Sequence, residues 1–193
     1  MKLGILFKLA IIGGCFSNIF CEISYDYYWR DYTGDIPGDA VEGGRDVNNR
    51  KTYIGQVFVK NYGIIPVTIY PGKTSVAANI DGIHHISSYV KILCSSCKEN
   101  FKWLPADAKT LHVKMINKHL VKGGVEWEGK VTNIGRILYQ SELLVAKVCG
   151  YAVGDAKLFF PAGNQEKTAE TYEVLVYDGP DLFSIEPRIQ NFS

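Results

Sequence analysis

Cys94 and Cys97 stand in "CSSC", a C-x-x-C spacing that can bind half a zinc ion, cycle between thiol and disulfide, or close a short structural loop. Zinc would need two more ligands, and the adjacent His84 and His85 would face opposite ways on a strand. A thioredoxin-like pair would need a βαβ setting, which the surrounding sequence does not offer. A structural Cys94–Cys97 disulfide is therefore the expectation in an oxidising compartment, with free thiols as the alternative. Cys149, inside the apolar run "LLVAKVCGYAV", reads as a buried thiol.

Gly43-Gly44 and Gly123-Gly124 could be taken for a phosphate cradle, but neither pair opens a helix or is followed by Gly-Lys-Ser/Thr. Turns needing positive φ are their expected role. The chain has no Gly-x-Ser-x-Gly elbow, no His-Glu-x-x-His and no paired-carboxylate motif. His112 and His119 lie in a weakly patterned stretch. No catalytic residue, cofactor or metal is expected, and the chain is read as acting by recognition.

The elements that carry these residues recur. "VEGGRDVNNRKTYIGQ" at 41–56 aligns without a gap on "VKGGVEWEGKVTNIGR" at 121–136, with identities at Val41/Val121, Gly43/Gly123, Gly44/Gly124, Thr52/Thr132, Ile54/Ile134 and Gly55/Gly135. Asp46/Glu126 and Arg50/Lys130 keep their charge sign, and "SYVKIL" and "TYEVLV" close the two units. Short β-branched and aromatic runs at 52–59, 88–93, 133–140, 142–148 and 171–178, bounded by turn residues, predict strands. Residues 105–120 read as extended, with at most one short helical turn. The expected architecture is all-β: two tandem interlocked repeats, 29–93 and 103–178, forming a pseudo-twofold β-sandwich across a joint at 94–102, with a tail at 179–193.

Residues 1–21 combine Lys2 and Lys8 with an apolar run too short to span a bilayer, the pattern of a cleaved secretory signal. Removing those two lysines from 21 basic residues leaves 19 against 20 acidic ones. The near-neutral chain has no basic stripe, so nucleic acid is not an expected partner. No later apolar run reaches membrane length, so no membrane insertion is expected. Asn191 opens a glycosylation sequon at the extreme C-terminus.

"WRDYTGDIPGDAVEGGRD", "YIGQVFVKNYGIIPVTIYP" and "LFFPAGNQEKTAETYEVLVYD" together resemble the DM-nine repeat family. The resemblance covers 29–178 and implies an all-β fold of two interlocked repeats. Members include mannose-binding lectins of microbial recognition, salivary proteins and natterin-like toxins. It implies that this chain binds carbohydrate, namely mannose-type glycans, in innate defence or saliva. The rival reading is a secreted protein-interaction or structural factor with the same fold, and a homodimer is consistent with either.

In the lectin members an acid closing the Gly-Gly-x-Asp piece and the lysine of the Pro-Gly-Lys turn hold the sugar hydroxyls. The resemblance places the acid on Asp46 and Glu126 and the lysine on Lys147. The first repeat departs from this pattern, since Thr68 stands at the matching position and Lys73 of "YPGK" comes five residues later. Such a pair suits a pyranose because its hydroxyls both donate and accept, and charge-assisted bonds are the stronger kind. The plain alternative for Glu126 and Lys147 is a surface salt bridge worth at most about 1 kcal/mol. The second repeat is expected to bind sugar and the first weakly.

The secreted protein is predicted to begin near Glu22. Mass spectrometry of secreted material checks this, and an intact Met1 terminus in a membrane fraction would contradict both cleavage and localisation.

Overall fold

The computed structural model describes residues 26–179, which form an all-β sandwich of antiparallel strands. The expected leader at 1–21 and the sequon at Asn191 lie outside these residues. The first unit holds β1 (Tyr27–Asp31), β2 (Glu42–Arg45), β3 (Lys51–Val59), β4 (Gly63–Ile69), β5 (Val76–Asn79), β6 (Ile83–Ile86) and β7 (Val90–Ser95). The second holds β8 (Phe101–Asp107), the single turn α1 (Leu111–Lys114), β9 (His119–Leu120), β10 (Lys122–Glu126), β11 (Lys130–Tyr139), β12 (Glu142–Val148), β13 (Leu158–Ala162), β14 (Gln165–Ala169) and β15 (Thr171–Tyr177). The segment read as a joint thus contains the end of β7 and the start of β8. Hairpins β5–β6 and β13–β14 were not foreseen, although Asp81-Gly82, both at positive φ, is a turn signal between β5 and β6.

Within each unit the pairings recur. β3 forms a hairpin with β4 and pairs with β7, which pairs with β1. Likewise β11 forms a hairpin with β12 and pairs with β15, which pairs with β8. The units then exchange strands. Val125 and Glu126 of β10 pair with Ile64 and Gly63 of β4, while Arg45 of β2 pairs with Leu143 of β12.

The repeated glycines make that exchange possible, and here the expectation of positive-φ turns is corrected. Gly43, Gly44, Gly123 and Gly124 lie in β2 and β10 and none has a positive φ. A Cβ on Gly44 would stand 2.0 Å from the Leu143 carbonyl oxygen, and one on Gly124 would stand 1.9 Å from that of Ile64. Gly43 and Gly123 leave the same room for Val145 and Pro66, at 2.3 and 2.5 Å. The strands approach so closely that no side chain fits between them.

Three buried clusters follow from this arrangement. One belongs to the first unit, around Val57, Ile65, Val67, Ile69 and Ile92, and one to the second, around Leu111, Val148, Leu158 and Val174. The third lies between them and is made of Val41, Ile54 and Leu93 with Val121, Ile134, Val145 and Leu175. The repeat identities Val41/Val121 and Ile54/Ile134 are therefore the residues that each unit buries against the other.

Cys94 and Cys97 do not form the expected disulfide; both are free thiols, as is Cys149. Cys94 lies on β7 with its side chain in the first unit's core. Cys97 lies past the end of that strand, half-buried, with its Sγ 3.8 Å from the Ser96 hydroxyl. Burial pushes the Cys94 thiol up to about 11, assisted by Asp39, so it is inert at neutral pH.

Gly44→Ala and Gly124→Ala are each predicted to destabilise the protein by about 3 kcal/mol or more, because backbone must move to admit the methyl group. Gly38→Ala, where a Cβ meets nothing within 4 Å, should change stability by less than about 0.5 kcal/mol. Urea unfolding of the three variants provides the comparison.

Candidate functional site

Strand register brings Glu126 and Lys147 together. Glu126 ends β10 opposite Lys130 of β11, and Lys147 lies on β12 opposite Ile134 of β11. The Lys147 ammonium sits 2.7 Å from Glu126 Oε1, with the two side chains only 5% and 11% exposed. This is a buried pair and not a surface salt bridge. The approach to Oε1 is poorly angled, so that oxygen has a counter-ion but no aligned hydrogen bond. Oε2 accepts from the Tyr151 hydroxyl at 3.2 Å.

Groups from elsewhere complete this site. Glu166 of β14 stands 4.0 Å from the ammonium and accepts at 3.2 Å from the Asn79 amide, which belongs to the first unit. The Phe159 ring lies 5.2 Å from the ammonium, placed there by the Lys147↔Phe159 pairing of β12 and β13. Cys149 is buried beside the pair, and desolvation raises its thiol pKa. At the rim, Tyr151 is 41% and Trp127 69% exposed, and Lys130 pairs with Glu128 at 3.0 Å.

In the first repeat Thr68 occupies the register position of Lys147, opposite Ile54 as Lys147 is opposite Ile134. The hairpin loops differ by one residue: Val59 pairs with Gly63, whereas Tyr139 pairs with Glu142 around Gln140-Ser141, both at positive φ. The Thr68 hydroxyl bonds the backbone of Val145, donating to its carbonyl at 3.0 Å and accepting from its N–H at 2.9 Å. It is not available to a ligand.

Asp46 accordingly finds another partner. Its Oδ1 accepts from the Asn48 and Arg50 backbone N–H groups, each at 2.9 Å, and its Oδ2 accepts from Arg50 Nε at 2.7 Å, with Nη2 an ion-pair contact at 2.7 Å. Desolvation pushes this carboxyl up, but the bonds from Arg50 and Asn48 together outweigh it and hold it below the usual carboxylate range. The contribution to stability is complete above the unfolded pKa of about 4 and is lost as pH falls through the lower folded value.

Asp46 and Arg50 also line a cavity of about 500 Å³, shared with Asn48, Tyr70, Pro71, Lys73 and Glu142. Lys73 therefore does reach the first site. Glu142 comes from the second unit, because the Arg45↔Leu143 pairing sets Asp46 beside the start of β12. It accepts from the Tyr70 hydroxyl at 2.5 Å, and burial followed by that bond raises the Tyr70 pKa. Tyr70, Glu142, Tyr151, Glu166 and Asn79 carried no signal in the sequence that tied them to either site.

No protein-family model and no curated protein sequence matches this chain. Among solved structures, the fold is similar to that of the nematode sperm cell motility protein MFP2B, at 14% identity and a TM-score of 0.53. The likeness covers 80% of this chain and 47% of that one, so the chain spans about half the length of its structural neighbour. It supports the fold alone, and the DM-nine resemblance rests on its sequence motifs.

Lys147→Met is predicted to cost about 3–5 kcal/mol, since it leaves Glu126 buried without its counter-ion. The double variant Glu126→Gln/Lys147→Met should recover much of that loss. Chemical denaturation reads both, and an unchanged midpoint for Lys147→Met would mean that water already solvates the pair.

Proposed function

We propose that this chain is a secreted glycan-binding protein whose two repeats are related by a pseudo-twofold axis and whose ligands are mannose-type sugars. It acts by recognition and not by catalysis. The observation that carries the reading is the Glu126–Lys147 pair at 2.7 Å, whose other carboxylate oxygen faces the exposed Tyr151 hydroxyl at the rim. A sugar with adjacent hydroxyls suits such a pair, donating O–H to the carboxylate while accepting from the ammonium. Tyr151 offers both a hydroxyl and a ring face at the rim.

The protein-interaction reading draws on a different surface. Phe58 of β3 pairs with Ile64 of β4, which pairs with Val125 of β10, and Phe58 and Val125 are 48% and 41% exposed. An apolar row across three strands suits a protein partner better than a sugar.

Titration calorimetry should show mannose binding that weakens about tenfold or more in Lys147→Gln, the loss of a hydrogen bond to a charged group. Tyr151→Phe, a milder change at the rim, should weaken it less. Absence of binding to mannose and related neutral sugars by the unmutated, folded protein would favour the protein-interaction role.

A further inference from the structure

Asp46 is 6% exposed and both its oxygens are engaged, Oδ1 by two backbone N–H groups and Oδ2 by the Arg50 guanidinium. A neutral sugar therefore cannot use it as Glu126 would be used. What the cavity offers instead is one edge of Arg50 and the Lys73 ammonium, set among Asp46 and Glu142. Asp46 holds the Nε and Nη2 side of Arg50, and Nη1 makes no hydrogen bond among the described residues. Lys73 has no ion-pair partner among them either; its ammonium lies 6.0 Å from the Tyr70 ring centroid on the same cavity. Glu142 takes the Tyr70 hydroxyl on Oε1, and its Oε2, which makes no hydrogen bond among the described residues, is an acceptor on the same cavity.

We infer that the cavity between Arg50, Lys73, Tyr70 and Glu142 binds an acidic saccharide, a hexuronate whose carboxylate meets the two cations and whose hydroxyl donates to Glu142. This rests on the glycan-binding reading and extends it to a second ligand class. A planar guanidinium edge beside an ammonium matches a carboxylate, whereas a neutral sugar would leave Lys73 without a counter-charge among the described residues. A single negative charge also suits the site better than a phosphate dianion, because Glu142 stands on the same wall. The cavity volume, about 500 Å³, lies in the range of small-ligand sites. Its composite origin explains why one repeat alone does not encode it: Glu142 arrives only through the β2–β12 exchange.

Calorimetric titration with glucuronate, alone and in excess mannose, tests the inference. Glucuronate should bind, should persist in excess mannose, and should weaken about tenfold or more in Lys73→Gln, an exposed substitution that leaves the core intact. Arg50→Lys, which keeps the charge and loses the planar edge, should weaken it as well. Raising NaCl should reduce the affinity, as expected for an accessible ion pair. Mannose binding with no glucuronate binding would overturn the acidic site and leave the lectin reading standing. Glucuronate binding that survives Lys73→Gln, or that mannose displaces, would also overturn it. Lys73-dependent glucuronate binding without mannose binding would support the cavity and reject the mannose assignment.

Discussion

Backbone meets backbone twice between the two units, where Gly44 lies against Leu143 and Gly124 against Ile64, and the rest of the molecule is arranged around these contacts. Any Cβ at either position would collide with a carbonyl oxygen, so the exchange of β2 and β10 between units depends on glycine there. The central cluster of Val41, Ile54 and Leu93 with Val121, Ile134, Val145 and Leu175 can close only because the strands come that near. Neither unit buries these side chains alone, which makes the contact between units part of the core.

Both candidate sites grow out of the same exchange. Pairing Arg45 with Leu143 carries Asp46 to the start of β12, and pairing Glu126 with Gly63 carries the matching acid to the start of β4. The residue at the hairpin position then decides how each acid is used. Lys147 reaches Glu126 across β11, whereas Thr68 turns its hydroxyl to the Val145 backbone and leaves Asp46 to Arg50. In the second unit the counterpart of Arg50 is Lys130, which pairs with Glu128 and leaves Glu126 to Lys147. The Thr68/Lys147 and Arg50/Lys130 differences thus separate an enclosed ion pair from an open cavity.

The strands at 52–59, 88–93, 133–140, 142–148 and 171–178 were legible from alternation, and the correspondence of Thr68 with Lys147, 79 residues apart, from the repeat motifs, the 80-residue offset slipping by one at the hairpin loop. The all-β class followed from the same local signals. Tertiary structure decided the role of the glycines, which sequence reasoning assigned to turns, since a close approach involves a second strand about 100 or 60 residues away in the chain. It also decided that Cys94 points into the core while Cys97 lies beyond the strand, so the two stay apart despite their spacing. Tyr70 and Glu142 around Asp46, and Asn79 and Glu166 around Lys147, were likewise beyond reach. Periodicity fixes where a side chain points on its own strand, but which charge it meets depends on how two separately encoded units cross, and that is set by packing at their shared glycines.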